Sequence, residues 1–397
     1  MDKKTIFNLS KKYSSFYLYD ESQILSNISQ LHHAFPNIKL LYSIKSNSNQ
    51  EVLKTIFNNN LGADAASINE VFMAQKLGLS RNNIFYSAPG KSSEDINQGL
   101  KNSTLIADSI NELRKINEIG KCNHTIYKIG VRINPNFSFN DELGYPSKFG
   151  IDEDKLFQLF NENTLNNIKI IGIHIHLKSQ ELSTKKLSNY YQNVILLALQ
   201  VQKRLRSPLT FINMGSGIGV PYRSTDNPVN ITLLGKRLSS LLSRFHSQLV
   251  NTKIIIESGR YLTCNAGTYV TRVLDRKVSH EQTFLILSNT LNGFIRPSLA
   301  MLINKYNNHS ISVASEPLFT TTNAFKFTPL PQRPVNKKEK VTLVGNLCTT
   351  TDIIAENLIM PYLRPGDVIA ISNAGAYGAV LSPMQFSSHN DIKEFLI

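Results

Sequence analysis

The hydrophobic pattern of this chain changes character once along its length. From about residue 25 to about residue 260, short apolar runs alternate with longer stretches whose apolar positions recur at helical spacing. The runs fall at residues 40–43, 61–65, 83–87, 104–108, 127–133, 168–176, 210–214 and 253–257. Unbroken apolar runs of this length read as strands buried on both faces, as in a parallel sheet. The spacers at 50–60 and 68–77 read as helices. Eight such units predict an α/β fold, a closed (β/α)8 TIM-type barrel over residues 25–260. Beyond it, residues 270–278, 283–288, 310–315, 340–344 and 367–372 read as strands joined by irregular connections. The proline-rich segment 328–339 reads as an exposed loop. Residues 1–24 and 261–397 are therefore assigned to a second domain, a β-sandwich or β-barrel.

Composition narrows the setting. A chain of 397 residues with 41% apolar content is long enough for two domains with a sizeable core. Its three cysteines (Cys122, Cys264, Cys348) are far apart and odd in number, which fits neither a disulfide framework nor a zinc site and points to a reducing cytoplasm. The start, Met1-Asp2-Lys3-Lys4, leads into no apolar signal core, and the greasiest stretch, 194–201, is too short to span a bilayer. The net charge of +14 raises nucleic acid as a partner. The lysines are scattered without an aromatic-interleaved basic repeat, so attraction of an anionic substrate is the better reading.

Chemistry-bearing residues gather where the expected barrel strands end, the side on which such barrels place their sites. Lys45 follows the first run in Leu41-Tyr42-Ser43-Ile44-Lys45-Ser46-Asn47. A lysine at that mouth suits Schiff-base chemistry, with desolvation expected to lower its pKa and free the amine; a surface lysine is the plain alternative. Gly215-Ser216-Gly217-Ile218-Gly219 exposes backbone N–H groups that can cradle a phosphate, or forms a simple tight turn. In Glu257-Ser258-Gly259-Arg260 the arginine and glycine amide suit a phosphate, and the glutamate suits a protonated ring nitrogen; a local ion pair is the alternative. His174 and His176 share a strand face, a spacing that also suits a metal, although no third ligand is nearby. His176, nearer the mouth, is placed to stack on a flat cofactor, while His174 reads as a core histidine. In the second domain, Cys348-Thr349-Thr350-Thr351-Asp352 and Gly375-Ala376-Tyr377-Gly378 remain open between packing and contact with a ligand.

Together and in this order, from Phe16-Tyr17-Leu18-Tyr19-Asp20 to Phe386, these motifs resemble the fold-type III pyridoxal-phosphate-dependent decarboxylases, the group containing diaminopimelate, ornithine and arginine decarboxylases. The resemblance implies pyridoxal 5'-phosphate as cofactor, carried on Lys45. It further implies that Asp64, Ser67 and Glu70 form the second strand-end motif, that Arg132 lies near the cofactor and that His176 stacks on its ring. Ser179, Gly215, Ser216, Gly217, Gly219, Gly259, Arg260 and Tyr377 would surround the phosphate, and Glu257 would hold the ring nitrogen. Cys348 would protonate the α-carbon, with Arg296, Thr349 and Asp352 in the substrate region. The family is typically a head-to-tail dimer with sites at the interface, so a homodimer is expected, without nucleic acid or membrane.

The departures bear on the substrate. Lys178-Ser179 stands for the usual Gly-Ser, and Ser258 for the proline of Glu-Pro-Gly-Arg. Thr349 replaces the acidic residue that commonly follows the cysteine and binds a distal ammonium. A lost charge-assisted partner costs ~1.5–3 kcal/mol. Free ornithine, lysine or diaminopimelate is thus expected to be poorly held. The chain looks most like the siderophore-biosynthesis branch, which decarboxylates citryl-amino acids. The alternatives are an ordinary diaminopimelate or basic-amino-acid decarboxylase, a racemase of the alanine racemase type and a non-catalytic regulator.

Overall fold

The chain enters through a short helix (Lys3–Ser10) and strand β1 (Ser15–Tyr19), then a helix (Glu21–Ala34) leads into the alternating region. There β2 (Lys39–Ser43), β3 (Gly62–Ala65), β4 (Ile84–Ser87), β5 (Thr104–Ala107) and β6 (Tyr127–Asn134) follow one another, a two-residue strand β7 (Ile151–Asp152) flanks β6, and β8 (Ile168–His174), β9 (Phe211–Asn213) and β10 (Lys253–Ser258) complete the set. Each barrel strand pairs in parallel with the next; β10 pairs with β2, and β5 with β6. Leaving β7 aside, eight strands thus close into a barrel, as the pattern predicts. This computed structural model describes residues 3–140, 142–162, 164–306, 323–389 and 392–397.

Local chemistry explains the helices between strands. Asn49, Ser67, Ser92 and Ser109 each cap a helix that starts just past a strand, accepting from backbone N–H groups of its first turn. The barrel interior is filled by Leu41, Phe85, Ile106, Phe211 and Ile255, one from each of five strands, with Phe85 and Phe211 edge to face at 5.2 Å.

The second sheet contains β11 (Gly267–Ser279), β12 (Gln282–Leu287), β13 (Phe327–Leu330), β14 (Lys338–Gly345), β15 (Ile353–Pro361), β16 (Val368–Ile371) and β17 (Lys393–Leu396). Its main order is β13-β16-β11-β12-β14-β15, with β1 on β11 and β17 on β1. A bulge between Val273 and Asp275 lets β11 serve β1 and β16 with one half and β12 with the other.

Three expectations need correction or placement. Residues 328–339 are not one loop: β13 ends at Leu330 and β14 begins at Lys338. Pro329 is accommodated because β13 is an edge strand, bonded among the described residues only to β16. The connections are less irregular than expected, since Ile295–Tyr306 is a helix whose Pro297 sits in the first turn, where a missing N–H is harmless. The expected strand at 310–315 lies outside the described residues.

Two hydrogen bonds join the domains beside Lys45. The Tyr377 amide donates to the Ser46 carbonyl at 2.7 Å, and Asn47 Nδ2 donates to the Gly375 carbonyl at 2.9 Å. The loop after β16 is thereby held against the mouth of β2.

Candidate active site

Lys45 lies in a single 3-10 turn (Ile44–Ser46) directly after β2. Its side chain is 46% exposed toward the barrel mouth, and its Nζ donates to Asp64 Oδ2 at 2.8 Å. Asp64, buried on β3, also accepts from Ser43 Oγ at 2.7 Å. The expectation of a lowered lysine pKa is overturned. The barrel walls work against its charge, but Asp64, the Tyr377 phenol and Glu257 outweigh them and hold the amine protonated, well above the usual lysine range. Glu70 closes this corner: its carboxylate accepts from the Ala66 amide at 2.7 Å, and burial pushes it up to about 7.

Glu257 is buried at the end of β10. Asn213 Nδ2 donates to its Oε1 at 2.7 Å, and His174 Nε2 lies 3.3 Å from the same oxygen. Burial opposes the glutamate's charge, yet His174 and Lys45 draw it well below the ordinary carboxylate range. His174 sits in the core, its Nδ1 3.0 Å from Ser87 Oγ on β4. His176 stands one step nearer the mouth, where Nδ1 accepts from the Ser216 amide at 3.3 Å. Burial pushes its imidazole down to about 4, so it is neutral near pH 7. Arg132 lies beside them, 3.8 Å from Asp108, with its guanidinium over the Phe149 ring at 4.4 Å.

The glycine turn follows β9. Gly215 (φ 59°) and Gly217 (φ 94°) are left-handed, and a Cβ on Gly215 would sit 2.6 Å from His176 Nδ1. The segment carrying Ser179 runs along this turn, because the Glu181 amide donates to the Gly217 carbonyl at 2.8 Å. A Cβ on Gly259 would lie 2.8 Å from Ser46 Oγ, bringing the start of the Arg260 helix against Lys45's own turn. Arg260 is buried, donates to the Tyr222 hydroxyl and lies over the Tyr377 ring at 4.8 Å. Arg296, fully buried, packs over Tyr222 at 4.9 Å and donates to the Ala376 carbonyl at 3.2 Å. Lys45, Asp64, Arg132, His176, Glu257, the glycine turn, Arg260 and Tyr377 thus converge on one mouth.

The segment after β14 behaves differently. Cys348 is exposed and Thr349 half-buried; among the described residues neither makes a hydrogen bond or ion pair with the barrel. Asp352 turns inward. Its carboxylate takes the Thr290 hydroxyl and the amides of Leu291 (3.0 Å) and Leu347 (3.2 Å). The carboxylate thereby braces the loop that carries Cys348. Asp352→Ala strands two backbone donors and is expected to cost about 3 kcal/mol, read as a lowered Tm in thermal melting. An unchanged Tm would show that those donors pair elsewhere.

Sequence reasoning missed Asn213, Ser87 and Tyr222. A lone polar residue ending a strand reads as a turn former, and only the register of β8, β9 and β10 shows that Asn213 faces Glu257. Tyr222 lies nine residues after Asn213, in a loop with no pattern of its own.

An amine at a strand end, an ionised glutamate sunk among barrel strands, a neutral imidazole and a turn of left-handed glycines beside a buried arginine fit a phosphorylated pyridine aldehyde, so fold and site define a pyridoxal-phosphate enzyme of the barrel type. A family model described as the pyridoxal binding domain of pyridoxal-dependent decarboxylases matches residues 21–264, more than half of the chain, and the chain belongs to that family. It is 30% identical to the L-glutamyl-[BtrI acyl-carrier protein] decarboxylase of Niallia circulans, over 98% of this chain and 90% of that one. It is 28% identical to the 2-[(L-alanin-3-ylcarbamoyl)methyl]-2-hydroxybutanedioate decarboxylase of Staphylococcus aureus, over 94% and 91%. Among solved structures, diaminopimelate decarboxylase from Helicobacter pylori complexed with L-lysine superposes with a TM-score of 0.82 at 26% identity, covering 100% of this chain and 94% of that one. The chain is a pyridoxal-phosphate-dependent carboxy-lyase.

Proposed function

We propose that this decarboxylase removes the α-carboxylate of an amino acid whose far end is already joined to another unit, with citryl-diaminopropionate and citryl-ornithine, intermediates of carboxylate siderophores, as the leading candidates. The observation that carries this reading is Thr349: the position after Cys348 offers hydroxyl chemistry and no carboxylate for a distal ammonium. The Staphylococcus relative's name describes an amino acid tied by an amide to a hydroxylated dicarboxylate, and the Niallia relative acts on a glutamyl unit held by a carrier protein. A net charge of +14 favours a polyanionic arm.

Bound at this mouth, pyridoxal phosphate supplies an electron sink for the pair left when CO2 departs. Lys45 would anchor it and take part in product release. Glu257 would hold a proton at the ring nitrogen, and His176, uncharged, would face the ring. The amides of the glycine turn, together with Ser179, Arg260 and Tyr377, would bind the phosphate. Cys348 hands a proton to the α-carbon. Because Cys348 is exposed on its own chain, we assign this proton to a second copy in a homodimer. Arg296 lies one aromatic layer behind the phosphate residues and orients the substrate region through Tyr222.

A CO2-release assay over citryl-diaminopropionate, citryl-ornithine, ornithine, lysine and diaminopimelate tests the substrate. A citryl conjugate is expected to lead in kcat/KM by ~10-fold or more, equivalent to about 1.4 kcal/mol. Diaminopimelate is the second reading, supported by the Helicobacter structure; its faster turnover would overturn the conjugate assignment.

A further inference from the structure

We propose that Asn213 is a positioning residue that locks the two ends of the cofactor site together, tying the carboxylate for the ring nitrogen to the glycine turn for the phosphate. The inference rests on the cofactor site and not on the substrate, so it stands or falls apart from the substrate panel.

The geometry is specific. Asn213 ends β9 and is completely buried. Its Oδ1 accepts from the Gly215 amide at 3.0 Å, which fixes the orientation of the side-chain amide. The Nδ2 that remains donates to Glu257 Oε1 at 2.7 Å. A carboxamide can only donate on that side, so it favours the ionised glutamate over the protonated one. The backbone closes the loop: the Glu257 amide donates to the Gly215 carbonyl at 2.8 Å. Gly215 is thus gripped at both N–H and C=O by a two-residue unit from neighbouring strands. The next amide, that of Ser216, donates to His176 Nδ1. One side chain therefore reaches the glycine turn directly, the ring-nitrogen carboxylate directly and the stacking imidazole through a single peptide.

His174 lies close to the same oxygen. It lies opposite Asn213 in the strand register, 3.3 Å from Glu257 Oε1, and its other nitrogen is 3.0 Å from Ser87 Oγ. The carboxamide of Asn213 keeps its donor at every pH. Among the described residues Asn213 and His174 lie nearest this oxygen, with Lys45, His176, Arg132 and Tyr190 interacting with the carboxylate from nearby.

Two variants separate positioning from simple packing. Asn213→Ala removes both contacts. Asn213→Asp keeps the shape and the acceptor for Gly215 but sets a second carboxylate against Glu257, so the pair shares a proton with a raised pKa. Protonated, the aspartic acid donates to Glu257 much as the amide does. Ionised, it repels Glu257. For a carboxyl group raised in the folded state, stability is present at low pH and lost as pH climbs through the folded value. The Tm deficit of the Asn213→Asp apoprotein, relative to wild type, is therefore expected to be small near about pH 5 and to widen toward about pH 8, while that of Asn213→Ala stays constant. In titrations of apoprotein with pyridoxal phosphate, Asn213→Ala should bind ~10-fold more weakly or worse, equivalent to about 1.4 kcal/mol. An Asp-variant deficit that ignores pH, or Ala-variant affinity within about twofold of wild type, would overturn the proposal.

Discussion

Lys45→Ala is expected to lower CO2 release by ~10^3-fold or more, the scale of losing a group that both anchors the reacting species and moves protons. The loss should extend to the visible absorbance of protein mixed with pyridoxal phosphate, because the phosphate residues are still present but nothing is left to form the Schiff base. Electrostatics alone could mimic part of this effect. Lys45 is held protonated by Asp64 and Glu257, so its removal leaves negative charge at the mouth. Lys45→Arg separates the two causes. It keeps a cation against Asp64 but brings no amine that can be freed near neutral pH. Both variants are expected to fail alike. An arginine variant with wild-type absorbance and turnover would remove Lys45 from the chemistry.

The barrel was legible because its strands are buried on both faces, and such strands need no alternation to stand out. Residues 168–176 and 253–257 read as strands from composition alone, and β8 and β10 form there. The second domain was less legible for physical reasons that differ by strand. β15 is broken by Glu356 and by Asn357, whose φ of 58° leaves the extended region, so its sequence loses the strand pattern. β13 carries Pro329 and reads as loop in the sequence, since a strand tolerates proline only at an edge, and edges are a property of the sheet. β17 has only four residues and exists because β1 offers it a free side. The site divides in the same way. Residues with distinctive chemistry at strand ends, Lys45, His176, Glu257 and Arg260, announce themselves. Asp352 and Asn213 do not, because the work of each is set by a partner far away in sequence: Leu291 for the first, Glu257 for the second. The lysine pKa failed for a related reason. Burial was foreseeable from the strand, but the cluster of negative groups outweighing it was assembled from β3, β10 and the loop after β16.

That cluster makes Glu257 the second decisive position. Glu257→Gln preserves volume and leaves an oxygen that can still accept from Asn213, so folding and the glycine turn should survive. What disappears is the charge. Held well below the ordinary carboxylate range, Glu257 is ionised throughout the working pH range and keeps a proton on any ring nitrogen beside it. A glutamine imposes no such demand, and a neutral ring is a poorer electron sink. The expected result is a fall of ~10^2–10^3-fold in kcat, the scale of losing one preorganised electrostatic partner. KM and cofactor affinity should change much less, because the phosphate residues around Gly215, Arg260 and Tyr377 are untouched. Sign matters for the pH profile. A carboxylate with a depressed pKa loses its charge only in strong acid, so wild type should show no acid limb from Glu257 near neutrality, and the glutamine variant should run parallel below it. If glutamine instead weakened binding while kcat held, Glu257 would be a packing residue, and the proton on the ring nitrogen would need another keeper.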